Sequence, residues 1–262
     1  MSDILTDIRP DGVATVTMNR AAVHNAFNET VIADLDRAFR RLGDDPSVRI
    51  VLLRGAGKSF SAGADLGWMQ RMAGYSREEN VADALALARM MQAIDRCPRP
   101  TVAVVHGAAF GGGVGLVAAC DIVVASEAAS FSLSEVRLGL IPAAISPYVV
   151  AAMGERACRR YFLSAERFSA AEAMRLGLVH ELAPADGLET AVERMVRSLL
   201  DCAPGAQTEA KDLIRAVSRR PTDDAVLADT ADRIATRRAS AEGREGVGAF
   251  LEKRDPSWRT PA

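Results

Sequence analysis

Runs of apolar, largely β-branched residues recur through the first half of the chain, at Val13–Met18, Val48–Leu53, Thr101–Val105 and Ile122–Ala125, and segments of helical periodicity separate them. Such runs suit strands of a sheet covered on at least one face, and their alternation with helices is the pattern of an α/β protein. Asn28 can cap a helix in which Ile32, Leu35, Phe39 and Leu42 recur at helical spacing, and Asp44-Asp45-Pro46 ends it. A second helix is expected from about Glu78 to Asp95, stopped by Cys97-Pro98.

After Pro147 the pattern turns mostly helical. Ser169-Ala170-Ala171-Glu172 reads as a capping box, and Gly177 sits where a helix end wants a left-handed residue. A short strand is expected over Leu178–Leu182, then helices over 187–201, 204–218, 222–241 and 244–253. We therefore expect an α/β core over residues 1–195 and a helical C-terminal region over 196–262, with no low-complexity linker between them.

Composition narrows the function classes. The 262 residues can bury a full core, and 32 Lys+Arg against 34 Asp+Glu leave no basic excess to attract nucleic acid. Asp3 and Asp7 stand where a signal peptide would be basic, and the most apolar stretch, Gly107–Cys120, is shorter than the roughly 20 residues a membrane span needs. Cys97, Cys120, Cys158 and Cys202 lie far apart, so neither a disulfide framework nor a zinc site is expected. A cytoplasmic setting fits, with neither membrane nor nucleic acid as partner.

Several familiar motifs fail on inspection. Gly57-Lys58-Ser59 matches the end of a P-loop, but Leu52 stands where its first glycine belongs. The Gly111–Gly115 run would need glycine instead of Leu116 to bind a dinucleotide. His24, His106 and His180 lack metal-site spacing, and no G-x-S-x-G elbow occurs.

Two small-residue loops remain, Ser59–Leu66 and His106–Leu116, each after an expected strand. Small side chains serve tight turns and close packing, but they also let a ligand approach backbone N–H groups that can donate to an anion. Two such donors make an oxyanion hole.

Phe60-Ser61-Ala62-Gly63-Ala64-Asp65-Leu66, Pro100–Gly107, Gly111-Gly112-Gly113, Cys120-Asp121-Ile122, Phe131, Glu135 and Leu138-Gly139-Leu140-Ile141-Pro142 follow one another in the order and spacing of the enoyl-CoA hydratase/isomerase (crotonase-like) family. The similarity continues through Ala165–Ala173 and Gly177-Leu178-Val179 to Ala249–Arg254, nearly the whole chain. The resemblance implies a crotonase-like spiral of ββα units with a helical C-terminal trimerisation region, assembled as a homo-oligomer, a trimer or a dimer of trimers. It implies an acyl-CoA substrate whose thioester oxygen lies between the amides of Ala64 and Gly112, with Glu135 moving the α-proton. It further implies substrate or CoA contacts at His24, Ala62, Gly63, Asp65, Leu66, Gly111 and Pro142, and contacts from Phe250 and Lys253 donated across subunits. No cofactor is expected, coenzyme A being part of the substrate, and no metal.

The chemistry of a thioester agrees: its α-carbon becomes an enolate on proton loss or conjugate addition, so it needs donors at oxygen and a base beside the carbon. Phe131, Leu133 and Val136 around Glu135 should raise its pKa. One departure stands out, because many hydratases of the family carry a second glutamate at the position of Gly115. The run Leu133–Val150, with Gly154-Glu155-Arg156-Ala157 and Arg159-Arg160-Tyr161, is similar to bacterial methylglutaconyl-CoA hydratases of leucine degradation, which share that glycine. Hydration of a branched enoyl-CoA is therefore the leading expectation, with a distal carboxylate of the substrate helping to place water in space left by Gly115. Δ3,Δ2-enoyl-CoA isomerisation by Glu135 alone, and an acyl-CoA-binding partner subunit with little turnover, are the alternatives.

Overall fold

The computed structural model describes residues 2–259. Its strands are β1 (Ile4–Ile8), β2 (Val13–Met18), β3 (Ile50–Gly55), β4 (Thr101–Val105), β5 (Ala108–Phe110), β6 (Ile122–Ser126), β7 (Ser130–Ser132), β8 (Phe168–Ser169) and β9 (Glu181–Ala183). Its helices are α1 (Glu29–Asp44), α2 (Leu66–Met72), α3 (Arg77–Asp95), α4 (Gly112–Ala119), α5 (Ser146–Ser164), α6 (Ala170–Arg175), α7 (Leu188–Leu200), α8 (Pro204–Val217), α9 (Asp224–Ala239) and α10 (Ala241–Glu252).

A six-stranded sheet has the order β1-β2-β3-β4-β6-β9, parallel except for the β1–β2 pair, and a three-stranded sheet has the order β5-β7-β8. The chain feeds the two in turn. β4 joins the large sheet, β5 the small one and α4 returns; β6, β7 and α5 then repeat the cycle, which makes a spiral of ββα turns.

The uninterrupted apolar runs follow from burial on both faces. Val51, Leu53, Ala103 and Val105 point into the main core with α1, α3, α4 and α5, whereas Ile50, Leu52, Val102 and Val104 pack under Val192 and Val196 of α7. Asn28 caps α1 as expected, its side chain accepting from the Val31 amide at 3.1 Å. The expected capping box at Ser169 forms only by half. Ser169 Oγ accepts from the Glu172 amide, but the Glu172 carboxylate turns to Arg175 and the Tyr161 hydroxyl, charge-assisted partners that outcompete a neutral N–H. Gly177 is left-handed at φ +85°, as a helix end requires. The expected division between residues 195 and 196 falls inside α7, which packs on β3, β6 and β9, so the outer helical layer begins at α8.

That layer is tied to the core by a buried ion pair. Lys211 of α8, only 9% exposed, places Nζ 2.6 Å from Asp121 Oδ2 and donates to the carbonyls of Cys97 and Arg99, while Asp121 also accepts from the Thr101 amide and hydroxyl. Lys211→Met leaves that carboxylate without its cation. Stability to urea should fall by roughly 3 kcal/mol, near the low end for a broken buried pair because Asp121 keeps some contact with water. Adding Asp121→Asn should restore part of the loss, and additive losses would show that the pair is not coupled.

Candidate active site

Both small-residue loops leave the C-terminal ends of the adjacent parallel strands β3 and β4, and short backbone bridges zip them together. The Ser61 amide donates to the Ala108 carbonyl at 3.1 Å, and the Phe110 amide to the Ser61 carbonyl at 2.9 Å. A third segment joins from the first crossover: the Phe27 amide donates to the Gly63 carbonyl at 2.8 Å and the Asp65 amide to the Phe27 carbonyl at 3.0 Å. In a parallel bridge of this kind the flanking residues make the bonds, so the N–H of Ala64 faces away from Phe27. Among the described residues it donates to no protein acceptor, and neither does the N–H of Gly112, the first residue of α4.

The two amides are neighbours across a close approach. A Cβ on Gly63 would stand 2.8 Å from the Phe110 carbonyl oxygen and 3.5 Å from the Gly112 nitrogen, so a side chain there would drive the loops apart.

The small sheet delivers the carboxyl. β5 pairs in parallel with β7, with Phe110 beside Ser132, and the Gly111 amide extends the ladder to the Ser132 carbonyl at 2.8 Å. Residues just after β7 therefore lie beside those just after β5, which sets Glu135 against Gly111. A Cβ on Gly111 would come within 3.2 Å of Glu135 Oε1, and its backbone at φ +51°, ψ −123° is one that side chains avoid. Glu135 Oε2 is buried with no hydrogen-bond partner. Burial raises the Glu135 pKa above the ordinary carboxyl value, outweighing the opposing influence of its own backbone amide. An acid with one free oxygen, beside a helix N-terminus and two unpaired amides, can exchange a proton with a carbon whose carbonyl oxygen those amides hold.

The other expected residues divide into groups. His24 is exposed with φ 54°; its Nδ1 lies 3.1 Å from Ser59 Oγ and its carbonyl accepts the Ala62 amide, so His24, Ala62 and the 77% exposed Leu66 form one rim. The Asp65 side chain is engaged within the fold. Its Oδ1 caps α2 through the amides of Gly67 and Trp68, and its Oδ2 pairs with Arg20 at 3.0 Å. Burial opposes its charge, yet these bonds prevail and hold its pKa below the usual carboxylate range. Pro142 is buried in the segment between Glu135 and α5. Phe250 and Lys253 end α10, whose principal contacts are with α8 and α9, so one chain does not gather them with the other site residues.

The structure also corrects the reading of Gly115. No space is left there: a Cβ at Gly115 would lie 2.2 Å from Ile145 Cγ2, 2.7 Å from Ile145 Cβ and 3.1 Å from Met91 Cε. Ile145, only 2% exposed, fills the volume that a side chain at position 115 would enter, so a second carboxyl there would have to displace it. Phe27, Arg20 and Ile145 were missed in the sequence, since no local pattern ties them to loops 30 or more residues away. Among the described residues no group of His, Cys, Asp and Glu side chains could hold a metal, and no helix is long and apolar enough to cross a membrane.

Paired amide donors on glycine-rich turns, with a lone raised-pKa carboxyl alongside, define a class of proteins that hold an oxyanion while moving a proton at the neighbouring carbon. The sequence model of the Enoyl-CoA hydratase/isomerase family matches residues 9–261, and the chain belongs to that family, with its crotonase fold and acyl-CoA substrates. A crystal structure of an enoyl-CoA hydratase from Shewanella pealeana superposes with a TM-score of 0.95 at 44% identity, covering 98% of this chain and 96% of that one. One from Mycobacterium smegmatis gives 0.94 at 35% identity, covering 99% and 100%. An enoyl-CoA hydratase of Alternaria alternata is 36% identical over 222 residues, 83% of this chain and 71% of that protein.

Proposed function

We propose that this chain adds water to an α,β-unsaturated acyl-CoA, with 3-methylglutaconyl-CoA or a related branched enoyl-CoA as its substrate. The observation that carries the reading is the Glu135 carboxyl set against Gly111, one residue from the free amide of Gly112. Conjugate addition puts negative charge on the thioester oxygen, where the amides of Ala64 and Gly112 receive it. Glu135 activates the water and delivers a proton to the α-carbon. Its raised pKa suits both duties, because a carboxyl titrating nearer neutrality gives and takes protons with less bias. No cofactor enters, coenzyme A being part of the substrate.

The branched substrate is supported by the similarity of Leu133–Val150 to methylglutaconyl-CoA hydratases. Ile145 supports a second reading, Δ3,Δ2-enoyl-CoA isomerisation, since it leaves Glu135 as the single carboxyl and a proton shuttle between carbons needs no more. The loss of conjugated-thioester absorbance should be followed with 3-methylglutaconyl-CoA and crotonyl-CoA, and its gain with a 3-enoyl-CoA. Hydration predicts the first as fastest, with solvent oxygen in the product. Conversion of the 3-enoyl-CoA alone, without solvent oxygen, selects the isomerase.

We also infer a homo-oligomer, a trimer or dimer of trimers, through the C-terminal helices. Ile214, Leu227, Ile234, Val247, Leu251 and Phe250, the last 82% exposed, leave more apolar surface than a lone layer would keep in water. Sedimentation should give at least three chains, and Ile234→Asp should lower that number; a monomeric wild-type protein would remove this inference.

A further inference from the structure

Phe27 touches both halves of the oxyanion hole. Its N–H and carbonyl hold Gly63 and Asp65, so Ala64 between them is registered by the Phe27 backbone. Its ring reaches the other half. A Cβ on Gly112 would meet Phe27 Cζ at 2.3 Å, Cε2 at 2.9 Å and Cε1 at 3.4 Å, so the tip of the ring rests against the Gly112 backbone.

The ring cannot easily move. It is 1% exposed and packs tilted against Trp68, with 6.4 Å between centroids. Trp68 sits in the first turn of α2, which Asp65 caps, and its indole N–H donates to Asp83 at 3.0 Å. Arg20 braces the same frame, bonding the Ala26 carbonyl and Asp65 Oδ2. One residue thus joins two loops that the sequence places 48 positions apart at their donors, 112 − 64.

We infer that Phe27 is a positioning residue that sets the separation of the Ala64 and Gly112 amides, its main chain fixing the first and its ring tip stopping the second. The inference rests on the proposed oxyanion hole. An amide pair gains its effect by already standing where charge will develop, and a displacement of about 1 Å can cost 10²-fold in rate. A shorter side chain at position 27 lets the first turn of α4 move toward the vacated space. The His24, Ala62 and Leu66 rim is untouched by that change, so kcat falls while KM stays close to that of the wild type.

The test is a double-mutant cycle of Phe27→Leu and Gly112→Ala, with Phe27→Met as the second variant should leucine unfold the chain. All are assayed below their melting temperatures on the preferred enoyl-CoA, and the thioester carbonyl stretch of a bound saturated acyl-CoA is recorded in the infrared. Phe27→Leu should lower kcat by up to ~10²-fold and move the carbonyl stretch back toward its value in water. Gly112→Ala should lose ~10²–10³-fold, about as much as losing a donor outright. The double variant should exceed Gly112→Ala alone, because the three ring atoms that a new Cβ would meet are ones leucine lacks. Losses that multiply, or a wild-type kcat and carbonyl stretch in both Phe27 variants, would overturn the inference and leave the oxyanion hole standing. A wild-type complex whose carbonyl stretch matches that in water would remove the oxyanion hole and this inference with it.

Discussion

Glu135→Gln should lower kcat by ~10²–10⁴-fold, the range a general acid–base contributes, while binding of CoA is unchanged. The amide keeps the shape of the side chain and its contact with Gly111, but cannot take a proton from water or give one to carbon. The same substitution should make the protein more stable at neutral pH. Burial raises the carboxyl pKa in the folded chain, so the folded state binds that proton more tightly than the unfolded one. The contribution of Glu135 is therefore fully present below the unfolded value near 4.5 and is lost as pH rises through the folded value. Thermal melts should show the variant gaining on the wild type from that pH upward, and the wild-type rate should show an inflection above the ordinary carboxylate range. A variant that keeps wild-type turnover would remove Glu135 from the chemistry. One that is inactive but less stable would make its role structural.

Restoring the second carboxyl should fail. Gly115→Ala already places a methyl 2.2 Å from Ile145 Cγ2, an overpacking that should cost ~1–3 kcal/mol in urea unfolding. Gly115→Glu adds a carboxylate beside Ile145 and Met91, where nothing apolar can solvate it, and should cost more than ~4 kcal/mol or prevent folding. It should not raise hydration in any case. Ile145→Ala should relieve the Gly115→Ala clash only in part, because the Ile145 Cβ itself would be 2.7 Å away. A folded Gly115→Glu protein that hydrates faster than the wild type would show that the Ile145 side yields, and that a two-carboxyl site lies within reach of this chain.

The two positions show different degrees of legibility. Glu135 was singled out by its motif and its apolar neighbours, whereas its place beside Gly111 follows from the pairing of β5 with β7, each of which stops just short of the residues that meet. Gly115 could not be read correctly. A glycine in sequence looks like room, and whether it is room depends on what packs against it, here Ile145 from a segment 30 residues on, 145 − 115. The motif at Asp65 likewise did not disclose that its two side-chain oxygens bond Arg20 and the α2 amides. The short strands β1, β5, β7 and β8 also escaped notice, having too few residues for a period to show.

By itself the sequence determined the longer elements and the groups they carry: apolar runs that must be covered by packing, helix ends at Asn28 and Gly177, two small-residue loops, and one carboxyl among apolar neighbours. Only the tertiary structure decided that the loops meet, that the Ala64 and Gly112 amides are left unpaired, that Phe27 stands between them and that Ile145 closes the space at Gly115. The reason is the range of the forces involved. Periodicity and capping act over a few residues along the chain, whereas packing and unpaired donors depend on which distant segments the folded core brings into contact.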